Sequence, residues 1–347
     1  MAQTPEGKGP LYVDSDTVRA ILDDVDVLAP IRSALIAYSE GTVLLPEEAY
    51  LGWSTADGEH ARSICLPAAI PSDDGLTLGL KVINGSLSNT RHGLPRASGL
   101  AMLFDPETAR VRAVMACAYL SSTRTAAVSY LAVEACAVRR EVVGLVGCGV
   151  LGARHMDLLL ARGGVARILL FDTDVARAES LARRLVDGSH RGSCVVEVVD
   201  SANAAVARAD VVVTATTTTE GYIAAGWLRP GTVLVHVSLD DVLPEVVETC
   251  GWLVVDSWRL VSADRRRILG RMVGEGRLVG PDASVDGTAR RVDAELGDVL
   301  AGRRPGRSSE DDVVLVNPFG MGAGDIAIMS VVHAEALRLG VGTWLAP

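Results

Sequence analysis

A chain of 347 residues, 49% hydrophobic but only 4% aromatic, is long enough for two domains with aliphatic cores of Val, Leu, Ala and Ile. A formal charge of −10 and an isoelectric point near 5.1 exclude the basic stripe that a nucleic-acid or anionic-membrane partner needs. No apolar run approaches the roughly 20 residues of a bilayer span. The N-terminus is polar, and Cys65, Cys117, Cys136, Cys148, Cys194 and Cys250 are scattered without Cys-x-x-Cys or His spacing, so a cytoplasmic chain without disulfides or bound metal is expected.

Ser15-Asp16 opens a helix within 11–28, and a second helix covers 28–41. From 49 to 115 turns separate short strands at 63–66, 76–83, 99–104 and 111–118, with Asp105-Pro106-Glu107-Thr108 the clearest turn. Arg62 stands at the start of the first of these strands. Lys81 lies inside the second, which is apolar. Of 33 cationic residues only Lys8 and Lys81 are lysines, and Lys8 belongs to the tail. A buried ammonium is costly, so Lys81 is either paired or lowered in pKa. A chain that otherwise uses arginine needs there what arginine cannot supply, a compact amine able to lose its proton. The plainer alternative is a structural pair with a core aspartate. A helix over 122–137 carries Arg124 in its first turn, against the helix dipole; a bidentate hold on a carboxylate or phosphate explains it better.

Beyond this helix, strand and helix alternate. Strands are expected at 142–147, 167–172, 194–199 and 210–214, near 232–238 and 252–256, and at 313–316. Helices are expected at 150–162, 174–186, 201–208, near 258–272 and 287–302, and at 325–339. That grammar predicts the α/β class, with a doubly wound parallel sheet of Rossmann type over 121–320. The last helix, apolar on a broad face, is expected to return to the early strands. It would complete a discontinuous α+β substrate and dimerisation domain of 1–120 with 321–347.

Gly147-Cys148-Gly149-Val150-Leu151-Gly152 follows a strand and opens a helix, the context in which Gly-x-Gly-x-x-Gly binds a dinucleotide. Gly147 permits the turn, Gly149 lets the backbone approach the pyrophosphate, and Gly152 allows close helix–strand packing. Asp172, 20 residues beyond Gly152, suits the ribose hydroxyls and favours NAD over NADP, although Arg177 leaves an opening for the latter. Thr216 and Ser238, at carboxyl ends of strands, and Gly320, in a Gly-rich turn, join the cofactor set. His236 is a weaker acid–base candidate, since a lone histidine on a buried strand is more often satisfied structurally.

Lys81-Val-Ile-Asn-Gly85, Asn89-Thr90, Gly93-Leu-Pro95, Leu103-Phe-Asp-Pro-Glu-Thr108, Thr123-Arg-Thr-Ala-Ala127 and the glycine turn, in this order, resemble the ornithine cyclodeaminase/μ-crystallin family over nearly the whole chain. The resemblance implies a homodimer formed through the N-terminal β domain, with Lys81 and Arg124 at an amino-acid-derived substrate. Arg62-Ser-Ile-Cys-Leu-Pro-Ala68, Pro95-Arg-Ala-Ser98, His236-Val-Ser-Leu239, Asp298-Val-Leu-Ala-Gly-Arg303 and Asn317-Pro-Phe-Gly320 resemble one branch of it. That branch comprises dehydrogenases releasing 2,3-diaminopropionate and 2-oxoglutarate from an aminocarboxyethyl-glutamate conjugate. The Gly-Lys pair of cyclodeaminases is absent, with Asp240-Asp241-Val-Leu-Pro-Glu245 in its place. Glu47 and Glu48 stand where the family has an early arginine. The implied reaction oxidises a secondary amine to an imine that water hydrolyses. Lys81 serves as base or water activator, and Asp240 or Asp241 as ammonium holder or base. Arg62, Arg96 and Arg124 bind carboxylates. A cyclodeaminase or ketimine reductase, and a non-catalytic NAD(P)H-binding protein of μ-crystallin type, are the alternatives.

Overall fold

The computed structural model describes residues 8–73, 75–188, 194–238, 240–285, 287–304 and 306–346. They divide into two compact units, 1–124 with 320–347, and 125–319.

The first unit is built on a seven-stranded sheet. Its order is Thr343–Trp344, Leu11–Val13, Val111–Ala116, Ala97–Phe104, Gly75–Ser86, His60–Ser72, Ala49–Ser54. The five strands from Ala49 to Ala116 form an antiparallel meander, and Leu11–Val13 adds in parallel to Val111–Ala116. Strand alternation sends residues to opposite faces. Leu66, Lys81, Ala101 and Met115 stand opposite one another in register and are buried. The helix Gly322–Leu339 packs on these strands and on the helix Leu28–Ser39. On the opposite face Leu51, Trp53 and Leu100 are 65%, 45% and 46% exposed. The helix Ser15–Asp24 is capped by Asp14, whose carboxylate accepts the Thr17 N–H at 2.8 Å. The preceding strand Leu11–Val13 is too short to declare itself by periodicity.

The second unit holds an eight-stranded sheet, parallel throughout. Its order is Ala294–Glu295, Trp252–Val255, Val314–Asn317, Val233–His236, Val211–Thr214, Val142–Val146, Arg167–Phe171, Val195–Val198. Every residue of Val211–Thr214, Val233–His236, Trp252–Val255 and Val314–Asn317 is buried, which is why these segments read as unbroken aliphatic runs. From Val142–Val146 the chain builds outward on one side and then returns to the other with Val211–Thr214. The switch point therefore lies beside the carboxyl end of Val142–Val146, where open α/β sheets bind ligands.

Three expected helices are corrected. The one expected over 122–137 runs Ala118–Cys136, which puts Arg124 beyond its first turn. The helix expected near 287–302 is instead the strand Arg290–Arg291, the strand Ala294–Glu295 and a short helix Leu296–Leu300. Val292, Ala294 and Leu296 are buried in alternation with Asp293 and Glu295, a period of two rather than 3.6. Asp293 also accepts the Leu253 N–H at 2.7 Å, tying the segment to the sheet edge. The helix near 258–272 is two, Trp258–Ala263 and Ile268–Gly274. Asp264 breaks it by accepting the backbone N–H and guanidinium of Arg266, the local competition that short acidic side chains offer a helix. No helix among the described residues is long and apolar enough to cross a membrane.

Candidate functional site

The Gly147–Gly152 turn joins the strand Val142–Val146 to the helix Val150–Ala161, and its three glycines sit in three different environments. Gly147 has φ +99°, and a Cβ there would lie 2.7 Å from the Ala215 carbonyl oxygen. At Gly152 a Cβ would lie 2.1 Å from the Gly147 carbonyl oxygen and 3.1 Å from Leu145 Cδ1. Gly149, the N-cap, has φ −74°, and a Cβ built on it meets nothing within 4 Å. Neither conformation nor packing demands glycine at 149. An open, side-chain-free approach to an uncapped helix start is what a pyrophosphate requires. Val150 is exposed and Leu151 half-buried, the latter's carbonyl held by His155 Nδ1 at 2.7 Å.

Asp172 follows the strand Arg167–Phe171, and its carboxylate accepts the N–H groups of Cys148 at 2.7 Å and Asp174 at 2.9 Å. The acid is thereby tied to the glycine turn. Arg177 is paired with Asp174 at 3.1 Å, so the cation considered for a second phosphate already has an anion.

Thr216 and Ser238 meet: the Thr216 N–H donates to Ser238 Oγ at 2.7 Å. Thr216 Oγ1 and the Tyr222 hydroxyl both donate to Asp241 Oδ1, at 2.6 and 2.8 Å. Asp241 Oδ2 lies 3.4 Å from His236 Nε2, and Asn317 Nδ2 lies 2.8 Å from His236 Nδ1. Burial works to raise the Asp241 carboxyl; the nearby His236 and the hydrogen bonds from Thr216 and Tyr222 outweigh it, leaving it below the usual carboxylate range. His236 is thus a satisfied core histidine within a polar cluster that fixes the loop carrying Thr216. The neighbouring Asp240 is buried and accepts from the Arg271 guanidinium.

In the first unit Lys81 is completely buried. Its amine donates to Asp325 Oδ1 at 2.7 Å and to Ser121 Oγ at 3.0 Å. Arg124 Nε donates to the same Asp325 oxygen at 2.8 Å. Burial first, then the charge of Arg124, draw the Lys81 amine down to about 8 against the opposing pull of Asp325. Gly320, φ +95°, makes room for this arginine, since a Cβ there would sit 2.2 Å from a guanidinium nitrogen. Paired or lowered in pKa were alternatives in the sequence; the lysine is both.

Arg62 pairs in register with Gly85, and Lys81 with Leu66. Alternation by two puts Arg62 and Lys81 on one face, about 14 Å apart along the strand at ~3.4 Å per residue. Arg96 precedes the strand Ala97–Phe104 and is exposed as a whole. Its guanidinium is nevertheless crowded by protein atoms, and that burial, then the charge of Arg62, hold it below its ordinary value. Two like charges drawn together are an arrangement that an anion relieves.

Lys81 and Arg124 therefore share one cluster, and Arg62 and Arg96 another. Sequence reasoning missed Asp325 and Ser121. The signal for Asp325 was present: a lone buried cation demands an acid, and Asp325 begins the last helix directly after a run of small residues.

The sequence profile of the ornithine cyclodeaminase/mu-crystallin family matches residues 15–339. The N-((2S)-2-amino-2-carboxyethyl)-L-glutamate dehydrogenase of Staphylococcus aureus is 30% identical over 321 residues, 91% of either chain. The crystal structure of CmnK, 37% identical, superposes with a TM-score of 0.87 over 97% of this chain and 98% of that one. An archaeal alanine dehydrogenase dimer with bound NAD shares the fold, at 24% identity, a TM-score of 0.81 and coverage of 97% and 98%.

Proposed function

This chain belongs to the ornithine cyclodeaminase/mu-crystallin family, and we propose that it oxidises the secondary amine of a multiply carboxylated amino-acid conjugate. The coenzyme is NAD. The turn Gly147–Gly152 takes its pyrophosphate, Asp172 its ribose, and Thr216 and Ser238 line the adjoining loops. When bound, the nicotinamide supplies the hydride acceptor. The observation that carries the reading is the Lys81 amine, buried at 2.7 Å from Asp325 beside Arg124 and drawn down to about 8. A lysine of that kind exchanges a proton near neutrality.

Arg124 binds the carboxylate next to the reacting Cα, and Arg62 with Arg96 takes a distal one. Neutral Lys81 accepts the proton of the substrate amine, freeing the nitrogen lone pair that expels hydride from Cα. It releases that proton to solvent and, neutral again, accepts a proton from the water that adds to the imine, which it returns to the departing amine nitrogen. For N-(2-amino-2-carboxyethyl)-L-glutamate the balance is conjugate, NAD⁺ and water giving 2,3-diaminopropionate, 2-oxoglutarate, NADH and a proton. The three carboxylates of that compound suit three arginines, and the name of the Staphylococcus aureus relative supports it. Asp241 serves the Thr216 loop.

Incubation with NAD⁺ and this conjugate is expected to raise absorbance at 340 nm with an equal yield of 2-oxoglutarate. Ammonia release from ornithine without net NADH would instead make the chain a cyclodeaminase. NADH binding with no turnover of any amine or imine would make it a sensor.

The chain forms a homodimer through the sheet face that exposes Leu51, Trp53 and Leu100. The archaeal alanine dehydrogenase is likewise a dimer. Sedimentation is expected to give twice the 36.4 kDa chain mass; Leu100→Glu is expected to give the single chain. A wild-type monomer at micromolar concentration would refute the pairing.

A further inference from the structure

Asp325 is completely buried in the first turn of the helix Gly322–Leu339. Lys81 Nζ and Arg124 Nε converge on its Oδ1, at 2.7 and 2.8 Å, while its Oδ2 has no hydrogen-bond partner among the described residues. An unsatisfied buried oxygen is costly, and at Asp325 it stands beside an oxygen on which two cations converge. One carboxylate against two cations also leaves a surplus positive charge where water is excluded, which is unfavourable for folding alone. Local rules broken in this way are characteristic of functional sites.

We propose that Asp325 is a positioning residue of the reaction: it fixes the Lys81 amine and the Arg124 guanidinium on one carboxylate oxygen and acts on substrate only through them. The proposal rests on the reading of Lys81 as the proton carrier. By holding Arg124 through Nε, Asp325 leaves the outer guanidinium nitrogens for the substrate carboxylate. By facing Lys81 with one negative charge against the positive charge of Arg124, it sets where the amine loses its proton. The remaining groups at the amine are neutral: the Ser121 hydroxyl, and the Cys117 thiol, which burial pushes up to about 12.

The two variants have opposite signs. Asp325→Asn removes the anion that holds the amine protonated, so its titration is expected to move to lower pH by about 1 to 3 units. Arg124→Gln removes the opposing cation and moves it upward. Since the chain has only two lysines, protein labelled with carbon-13 at the lysine ε-position gives two lysine signals, Lys8 serving as the solvated reference. In Asp325→Asn, kcat is expected to fall about a hundredfold through lost geometry, with NADH affinity unchanged and the pH profile shifted with the amine. If Asp325→Asn does not fold, Arg124→Gln carries the test by its upward shift. A Lys81 titration that stays in place in the folded variants overturns the proposal. A titration that moves while the turnover profile stays fixed overturns instead the reading of Lys81 as proton carrier.

Discussion

Lys81→Met is expected to lower turnover by about three orders of magnitude, the middle of the range for loss of a positioned proton carrier, while NADH binds with unchanged affinity. The methionine fits because Lys81 lies on a covered sheet face between Leu66 and Ala101. Its unbranched apolar chain fills the same channel without a charge to satisfy. Asp325 keeps one cation, Arg124 at 2.8 Å, so the acid is not stranded and the fold is retained. NADH fluorescence and absorbance at 340 nm separate the two effects. Near-normal turnover in a variant that binds NADH would remove Lys81 from the chemistry.

The same amine dictates the pH dependence. Its folded pKa, about 8, lies below the ordinary lysine value of 10.5, so the neutral form becomes the major one above pH 8. Amine oxidation, which needs neutral Lys81 to accept protons, is expected to rise through pH 8 and level above it. Imine reduction, which needs protonated Lys81, is expected to fall through the same pH. Both limbs are absent in Lys81→Met.

How much of this was legible in the sequence follows from the range of each interaction. The parallel sheet was legible because its central strands are buried on both faces, which writes itself as an aliphatic run between glycines and caps. The glycine turn and Asp172 were legible because turn, helix start and acid lie within one strand–helix–strand unit. The segment 287–302 misled because its strand pairs are only two residues long and its alternation of Val292, Ala294 and Leu296 sits beside a true helical turn. Asp325 escaped because its meaning depends on contacts 244 and 201 residues away. Lys81 stood out through its place in an apolar strand, the chain's near-total use of arginine and the resemblance of its segment, signals that named the question without naming the partner.

Gly149→Ala is the substitution that isolates what the glycine turn is for. The position has an ordinary negative φ and empty space around a built Cβ, so alanine costs the unliganded protein nothing and its Tm should match the parent's. Any penalty therefore arises with the ligand. A methyl group pushed into the path of the phosphates costs about 1 to 3 kcal/mol as overpacking does, equivalent to about a tenfold to hundredfold rise in the Kd for NADH. Gly152→Ala behaves differently: its Cβ strikes the Gly147 carbonyl oxygen at 2.1 Å and Leu145, so the helix must lift off the sheet and both Tm and binding fall. Fluorescence titration and thermal melts of the two variants distinguish a turn shaped by its ligand from one shaped only by the fold. Unchanged NADH affinity in Gly149→Ala would place the pyrophosphate elsewhere, and with it the claim that the open helix start at residue 149 exists to receive an anion would fall.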